Sequence, residues 1–346
     1  MKHELHELLV AADRAGNLTR DIPEDGILIV ENYGAIPPAV RRSGCYVWNR
    51  GFNVVLLGRD DAPRYFCKCR PIADGNLERE TAVLRALNSD PELCTIVPRA
   101  SGARDGEVQL QLNEFVPGWL YERALPRLTE FAWVESMAQI LSVARMVSRR
   151  ATNLLPSLLT TPTPAPAPLC VAAANALREL GAVGLAADVL QGLERALARA
   201  GAIPPLLQHG DLWPGNVLWH HGSWRLLDFE VFGIVQTPLY DACHFVRNCW
   251  TLREPRVAAT TTWVARLASD ARDAELCRRT ILTEARHLGL AATQAAGVLA
   301  YYVVDATAQL IRRGTPQVAW APLMREVLAA GELLRGGAAL RLLDPL

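Results

Sequence analysis

Between residues 50 and 115 the apolar positions recur with two periods. Phe52 to Leu57 and Arg64 to Cys69 read as strands either side of the turn Asp60-Asp61-Ala62-Pro63. Gly44 to Trp48 reads as another strand, leading into the turn Asn49-Arg50-Gly51. Glu107 to Leu112 alternates, with Val108, Leu110 and Leu112 on one face, and Pro117 and Gly118 stop it. Residues 77–87 follow a helical period instead. Their stripe is Leu77, Leu84 and Leu87, and Glu80 fills its gap. Past residue 118 the pattern is helical over 129–155, 169–200, 253–271, 273–288, 291–313 and 317–337, with a Pro-rich linker at 160–168. Residues 2–15 also read as a helix. One hairpin interrupts the helices: Val217 to Trp219 and Trp224 to Leu227, around His221-Gly222-Ser223. Strands first and helices after predict an α+β fold. The β-rich N-terminal lobe spans 1–113 and the helical C-terminal lobe 114–346, with a hinge at 113–118 and the hairpin held in the helical lobe.

Some polar residues break these patterns. Strand alternation puts Tyr65, Cys67 and Cys69 on one face and Phe66 and Lys68 on the other. Lys68 is the only lysine besides Lys2, which points to a need for a compact ammonium in mid-strand. Glu80 points inward with the stripe, whereas Glu78 lies off it and is solvated. An inward glutamate needs a cation, and Lys68 on the adjacent strand is the candidate. A second group lies between His209 and Glu230. Asp211 precedes Asn216 by five residues, and Asp228 follows by twelve. A turn centred on Gly222 would set Asn216 opposite Asp228, an amide oxygen and a carboxylate together, as a hard cation such as Mg²⁺ requires. A slip by one residue would turn Asp228 to the other face.

Composition narrows the classes of function. Hydrophobic residues are 50% and charged residues 21%, as in an ordinary globular chain. Lys+Arg and Asp+Glu are both 36, so the zero net charge gives no support to a nucleic-acid partner. The longest apolar run, Ala295 to Val304, is short of the ~20 residues that span a bilayer, and the N-terminus lacks the pattern of a signal peptide. The eight cysteines show neither C-x₂-C pairs nor zinc spacing, which fits small buried residues in a reducing cytoplasm. The adjacent His220 and His221 read as turn residues and not as metal ligands. The nine tryptophans are expected mostly in the core. Trp213 is the exception, standing either in the core or as a stacking surface for the acceptor.

The ordered set of Lys68, Glu80, His209-Gly210-Asp211, Asn216 and Asp228-Phe229-Glu230 matches the kinase signature of strand Lys, helix Glu, H-x-D-x-x-x-x-N and D-F-G. Gly210 stands where protein kinases carry an Arg, Trp213 where they carry Lys, and A-P-E and a long activation segment are missing. HGDLWPGN with DFE resembles instead the aminoglycoside phosphotransferase and choline kinase family, whose phosphate acceptors are small molecules. That resemblance covers about Ser43 to Trp250. It implies a two-lobed protein-kinase-like fold, ATP or GTP with Mg²⁺, and a hydroxyl-bearing aminoglycoside, sugar or amino alcohol as substrate. It implies that Lys68, fixed by Glu80, holds the α- and β-phosphates, and that Asn49 to Asn53, with Gly51 and Asn53, form the loop over them. Glu114 and Val116 would offer backbone groups to the base. Asp211 would take the hydroxyl proton, Asn216 and Asp228 would bind Mg²⁺, and Glu230 would assist through water. His209 would brace the catalytic loop, and Asp241 would cap the next helix and support that loop. The competing classes are a non-catalytic kinase-fold protein that binds a nucleotide or partner, and a protein kinase.

Overall fold

The computed structural model describes residues 27–29, 52–57, 60, 62–71, 75–105, 108–159, 167–312, 314 and 317–335. The expected helix 2–15, the strand 44–48 and the turn Asn49-Arg50-Gly51 lie outside them. The chain divides into two compact units. The first comprises Met1–Gly118 and Trp219–Val231, and the second Trp119–Leu218 and Phe232–Leu346. The tip of the hairpin and Asp228 thus belong with the β-rich unit.

The β-rich unit is built on an antiparallel sheet of five strands. They are β1 (Ile27–Ile29), β2 (Phe52–Leu57), β3 (Pro63–Pro71), β4 (Ala100–Asp105) and β5 (Val108–Glu114), in the order β1-β2-β3-β5-β4. Register puts Cys67 opposite Val54 and Leu112, and Lys68 opposite Asn53 and Gln111. Paired residues share a face, so one face is apolar and the other carries a polar row. Helix α1 (Asn76–Asn88) packs on the polar row, and its buried positions are Leu77, Glu80, Thr81, Val83, Leu84 and Leu87. The stripe read from sequence is therefore the buried face, with Glu80 in it and Glu78 exposed. The Gln111 amide donates to Thr81 Oγ1 at 3.3 Å, and the Asn113 amide donates to Gln111 Oε1 at 3.2 Å. A Cβ on Gly102 would lie 2.9 Å from Thr81 Cγ2, so a side chain there would push α1 off the sheet.

In the other unit the long helix α2 (Glu130–Leu154) starts where Thr129 Oγ1 accepts the Ala132 N–H at 3.2 Å. The continuous pattern over 169–200 forms two helices, α3 (Leu169–Ala182) and α4 (Ala187–Ala200). The chain turns between them at Gly184, whose φ of 93° ends α3. Helices α5 (Tyr240–Arg253), α6 (Trp263–Leu267), α7 (Arg272–His287), α8 (Ala292–Arg312) and α9 (Gln317–Arg335) follow. The apolar segment of α8 is a core helix packed on α3, α4 and α9. A Cβ on Gly297 would stand 2.3 Å from Ala200 Cβ, so α8 and α4 meet backbone to backbone. Trp133, Trp250 and Trp263 are fully buried here, whereas Trp119 is 75% exposed and Trp219 38% exposed. Tryptophan is thus less of a core residue than its chemistry suggests. Among the described residues no single helix is long and apolar enough to cross a membrane.

Candidate active site

Lys68 is 5% exposed and Glu80 1% exposed. The Lys68 ammonium donates to both Glu80 oxygens at 2.9 Å and to Asp228 Oδ1 at 2.7 Å. The Phe229 N–H donates to Glu80 Oε1 at 3.0 Å, which ties the Asp228-Phe229-Glu230 segment to α1. Burial pulls the Lys68 pKa down, but the charges of Glu80 and Asp228 outweigh it and hold the ammonium above its ordinary value. Burial likewise raises Glu80, opposed by Lys68. The Asp228 side chain stays 40% exposed while it bonds Lys68. Arg79 reaches the Glu230 carbonyl at 3.3 Å.

The hairpin departs from its expected register. Strands β6 (Val217–His220) and β7 (Ser223–Leu226) enclose a turn of two residues, His221 and Gly222, with φ of 44° and 82°. Two positive φ values in succession make the tight turn that matches strand twist. His220 therefore faces Ser223, and the Trp219 and Trp224 rings meet edge to face at 4.6 Å. That is one residue out from a turn centred on Gly222, so Asn216 and Asp228 are not a directly opposed pair. Asn216 ends a 3₁₀ turn, Pro214–Asn216, and Asp228 lies beyond β7 with φ 61°. The direction of Asp228 is set by this left-handed backbone and by Lys68, not by strand alternation.

Asn53 also departs from expectation. It sits in strand β2 opposite Lys68, 9% exposed, and not in a loop; Gly51 lies outside the described residues. Glu114 ends β5 opposite Tyr65. Its N–H donates to Arg99 O at 2.8 Å, and the Phe115 N–H donates to Arg64 O at 3.0 Å. These bonds fix the chain just ahead of Val116.

The helical unit holds the loop from His209 to Asn216. Asp241 reaches back from the first turn of α5 and accepts the His209 N–H at 2.6 Å and the Gly210 N–H at 2.8 Å. Its own N–H donates to Gln208 Oε1 at 3.2 Å. Burial raises the Asp241 pKa, and His209 and the two N–H groups oppose this. Asp241 accepts both loop N–H groups but does not cap α5, whose N-cap residue is Leu239, with φ 70° and no side-chain bond. His209 is 2% exposed, and its backbone carries this brace. The Asn216 amide donates to Asp211 O at 2.9 Å and to Asp211 Oδ2 at 3.3 Å. A Cβ on Gly215 would fall 2.3 Å from the Trp213 ring and 2.8 Å from Glu122 Oε2, so the indole packs against its own loop.

Sequence reasoning missed His244, whose Nε2 stands 3.4 Å from Asp211 Oδ1. It is one helical turn past Asp241, and that spacing, i to i+3, was the only signal for it. Gln208, next to the motif, was missed too. No group of three or more His, Cys, Asp or Glu suited to a metal occurs among the described residues.

The sequence model of the phosphotransferase enzyme family matches residues 48–277. The chain belongs to that family. It is a phosphotransferase. No curated protein sequence matches it. Solved structures resemble it across nearly its whole length at low identity. One is the choline kinase of Cryptosporidium parvum Iowa II, with a TM-score of 0.57 and 10% identity, covering 99% of each chain. Another is aminoglycoside phosphotransferase APH(2'')-Ib in its ADP-bound form, with a TM-score of 0.56 and 11% identity, covering 96% of this chain and 99% of that one. The Plasmodium vivax ethanolamine kinase aligns with a TM-score of 0.52 and 12% identity, covering 94% and 86%. The fold of the phosphotransferase is thus α+β and protein-kinase-like, with a β-rich and a helical unit.

Proposed function

We propose that this phosphotransferase moves the γ-phosphoryl group of ATP, or of GTP, to a hydroxyl of an aminoglycoside, sugar or amino alcohol. The family match carries the reading, and the buried Lys68–Glu80 pair with Asp228 gives it a nucleotide end. Neighbours in complex with GDP or ADP support nucleotide use. Glucosamine kinase bound to glucosamine and ADP supports a polar small acceptor.

Lys68 holds the nucleotide phosphates, and Glu80 keeps its ammonium aimed. Glu114 and Val116 meet the base through backbone groups, with Gly51 and Asn53 near the phosphates. Asp211 accepts the acceptor's hydroxyl proton while the new O–P bond forms and the bond to the β-phosphate oxygen breaks, releasing ADP. The transition state is loose, so positioning and charge neutralisation supply most of the catalysis. Asn216 and Asp228 suit Mg²⁺. The Asn216 amide nitrogen is engaged with Asp211, which turns its oxygen to the role of ligand, and Asp228 is a part-exposed carboxylate. When bound, the ion supplies neutralisation of phosphate charge. Glu230 assists it through water, His209 and Asp241 hold the loop, and Trp213 packs beside it. A cytoplasmic setting with ATP at hand is part of this reading, as are a partner limited to small molecules and no role for nucleic acid or membrane.

The test is nucleotide turnover with and without Mg²⁺ across sugars, aminoglycosides and amino alcohols. Acceptor-stimulated, Mg²⁺-dependent turnover is expected, and nucleotide binding with no turnover across the panel would favour a non-catalytic binding protein.

A further inference from the structure

His244 has a neighbour on each ring nitrogen. Its Nε2 is 3.4 Å from Asp211 Oδ1, and its Nδ1 is 3.2 Å from the Tyr302 hydroxyl. Tyr240 stacks along the imidazole at 6.5 Å and 13°, and Tyr302 meets it edge-on at 5.7 Å, so packing fixes the ring plane. Behind Tyr302, the Arg247 guanidinium opposes part of the burial that raises the Tyr302 hydroxyl. Arg247 Nε also lies 3.8 Å from Glu326 Oε1. Glu326 is anchored in turn, accepting the Trp263 and Val264 N–H groups at 2.8 and 2.9 Å.

The direction of these bonds follows from their chemistry. A carboxylate only accepts, so the ring nitrogen that faces Asp211 is the one suited to carry the proton, and Nδ1 is left to accept the Tyr302 O–H. Burial pushes the Tyr302 pKa up to about 12, which keeps that proton in place. A neutral imidazole that accepts at Nδ1 carries its proton on Nε2, the nitrogen that faces Asp211.

We propose that His244 is a positioning residue, set in its Nε2–H tautomer between Asp211 and Tyr302, that orients the carboxylate of Asp211. The proposal rests on the reading of Asp211 as the base. Asn216 donates to Oδ2 at 3.3 Å while His244 Nε2 stands 3.4 Å from Oδ1, so the two oxygens have different neighbours on opposite sides. Each oxygen keeps a lone pair for the incoming hydroxyl proton. Other groups near this chain are Asp241, whose carboxyl pKa is lowered by His244 against the rise from burial, and Tyr301, which packs on Tyr240.

The test combines a spectroscopic and a kinetic readout. In mildly alkaline buffer, where an ordinary histidine is neutral, ring ¹⁵N shifts of histidine-labelled protein are recorded, with His244 assigned by its loss in His244→Gln. The Nε2–H tautomer is expected in the parent protein, shifting toward a mixture in Tyr302→Phe. An Nδ1–H tautomer, or a spectrum unchanged in Tyr302→Phe, would overturn the proposal. In the kinetic arm, MgATP hydrolysis with water as acceptor is measured. His244→Phe keeps the ring volume and the stacking but has no donor, so kcat should fall about tenfold or more, with an unchanged KM for ATP and thermal midpoint. His244→Gln, which can still donate, should recover most of the rate. Equal kcat in His244→Phe and the parent sinks the proposal. Asp211→Asn at the parental rate would instead remove the base assignment and leave the tautomer result standing.

Discussion

Lys68, at 5% exposure between two carboxylates, is structural as well as functional. Replacing it with Met leaves Glu80 buried without its cation, which costs about 3–5 kcal/mol. Loss of activity in Lys68→Met is therefore confounded with loss of fold. Glu80→Gln is the cleaner probe, since an amide oxygen can still accept from Lys68 and from the Phe229 N–H. Turnover should drop with a small change in thermal midpoint, and an unaltered rate would mean that the pair does not aim the lysine. The sequence predicted this pair because two independent periods converge on it: strand alternation turns Lys68 inward, and the helical stripe turns Glu80 inward. Asp211 and Asn216 were legible for a similar reason, being close along one loop. His244 was not, because its relation to Asp211 depends on how α5 packs beside the loop. The position of Asp228 was misread for a local reason. The turn of β6 and β7 has two residues rather than three, and a left-handed backbone then redirects the carboxylate.

At the level of elements, β2, β3, β5 and the helices α1, α2, α7, α8 and α9 were predicted to within a few residues, because each carries one clear period. Strand β4 and helix α5 were not read, and the helix expected over 253–271 is two short helices, Pro255–Ala258 and α6. The break between α3 and α4 was hidden, since both sides share an Ala- and Leu-rich pattern and only Gly184 marks the turn. The contact of α8 with α4 was invisible too, because a glycine in a helical stripe does not declare what it approaches. Gly297→Ala places a Cβ 2.3 Å from Ala200 Cβ and should cost about 1–3 kcal/mol. Thermal or urea unfolding checks this, with no change expected in the KM for nucleotide. Helices α2 and α7 are joined by Arg145 and Glu284, in direct contact. Burial pushes the Glu284 carboxyl up to about 7, opposed by Arg145. Its folded pKa is raised above the unfolded value, so its contribution to stability is complete below about pH 4.5 and is lost as pH rises through about 7. Glu284→Gln should therefore flatten the pH dependence of the thermal midpoint, gaining on the parent protein between about pH 5 and 8. A difference between the two that does not vary with pH would contradict this.

For the whole molecule, the order of strands then helices predicted the fold class. The division into units was harder to read, because the tip of a hairpin embedded in the helical sequence belongs with the β-rich unit. Long-range assignment of this kind is carried by tertiary contacts and not by any local period. With Asn216 and Asp228 as Mg²⁺ ligands, chelation of divalent cations should abolish turnover, and Mg²⁺ should restore it. The proposed role of Asp211 is to take the proton from a small-molecule hydroxyl as phosphate is transferred. Its most direct test is mass spectrometry of a mixed pool of sugars, aminoglycosides and amino alcohols after incubation with MgATP and either parent enzyme or Asp211→Asn. An acceptor should gain one phosphoryl group with the parent enzyme, at a rate ~10²–10⁴-fold lower with Asp211→Asn. Equal phosphorylation by the two proteins, or no phosphorylated acceptor with the parent enzyme, would contradict it.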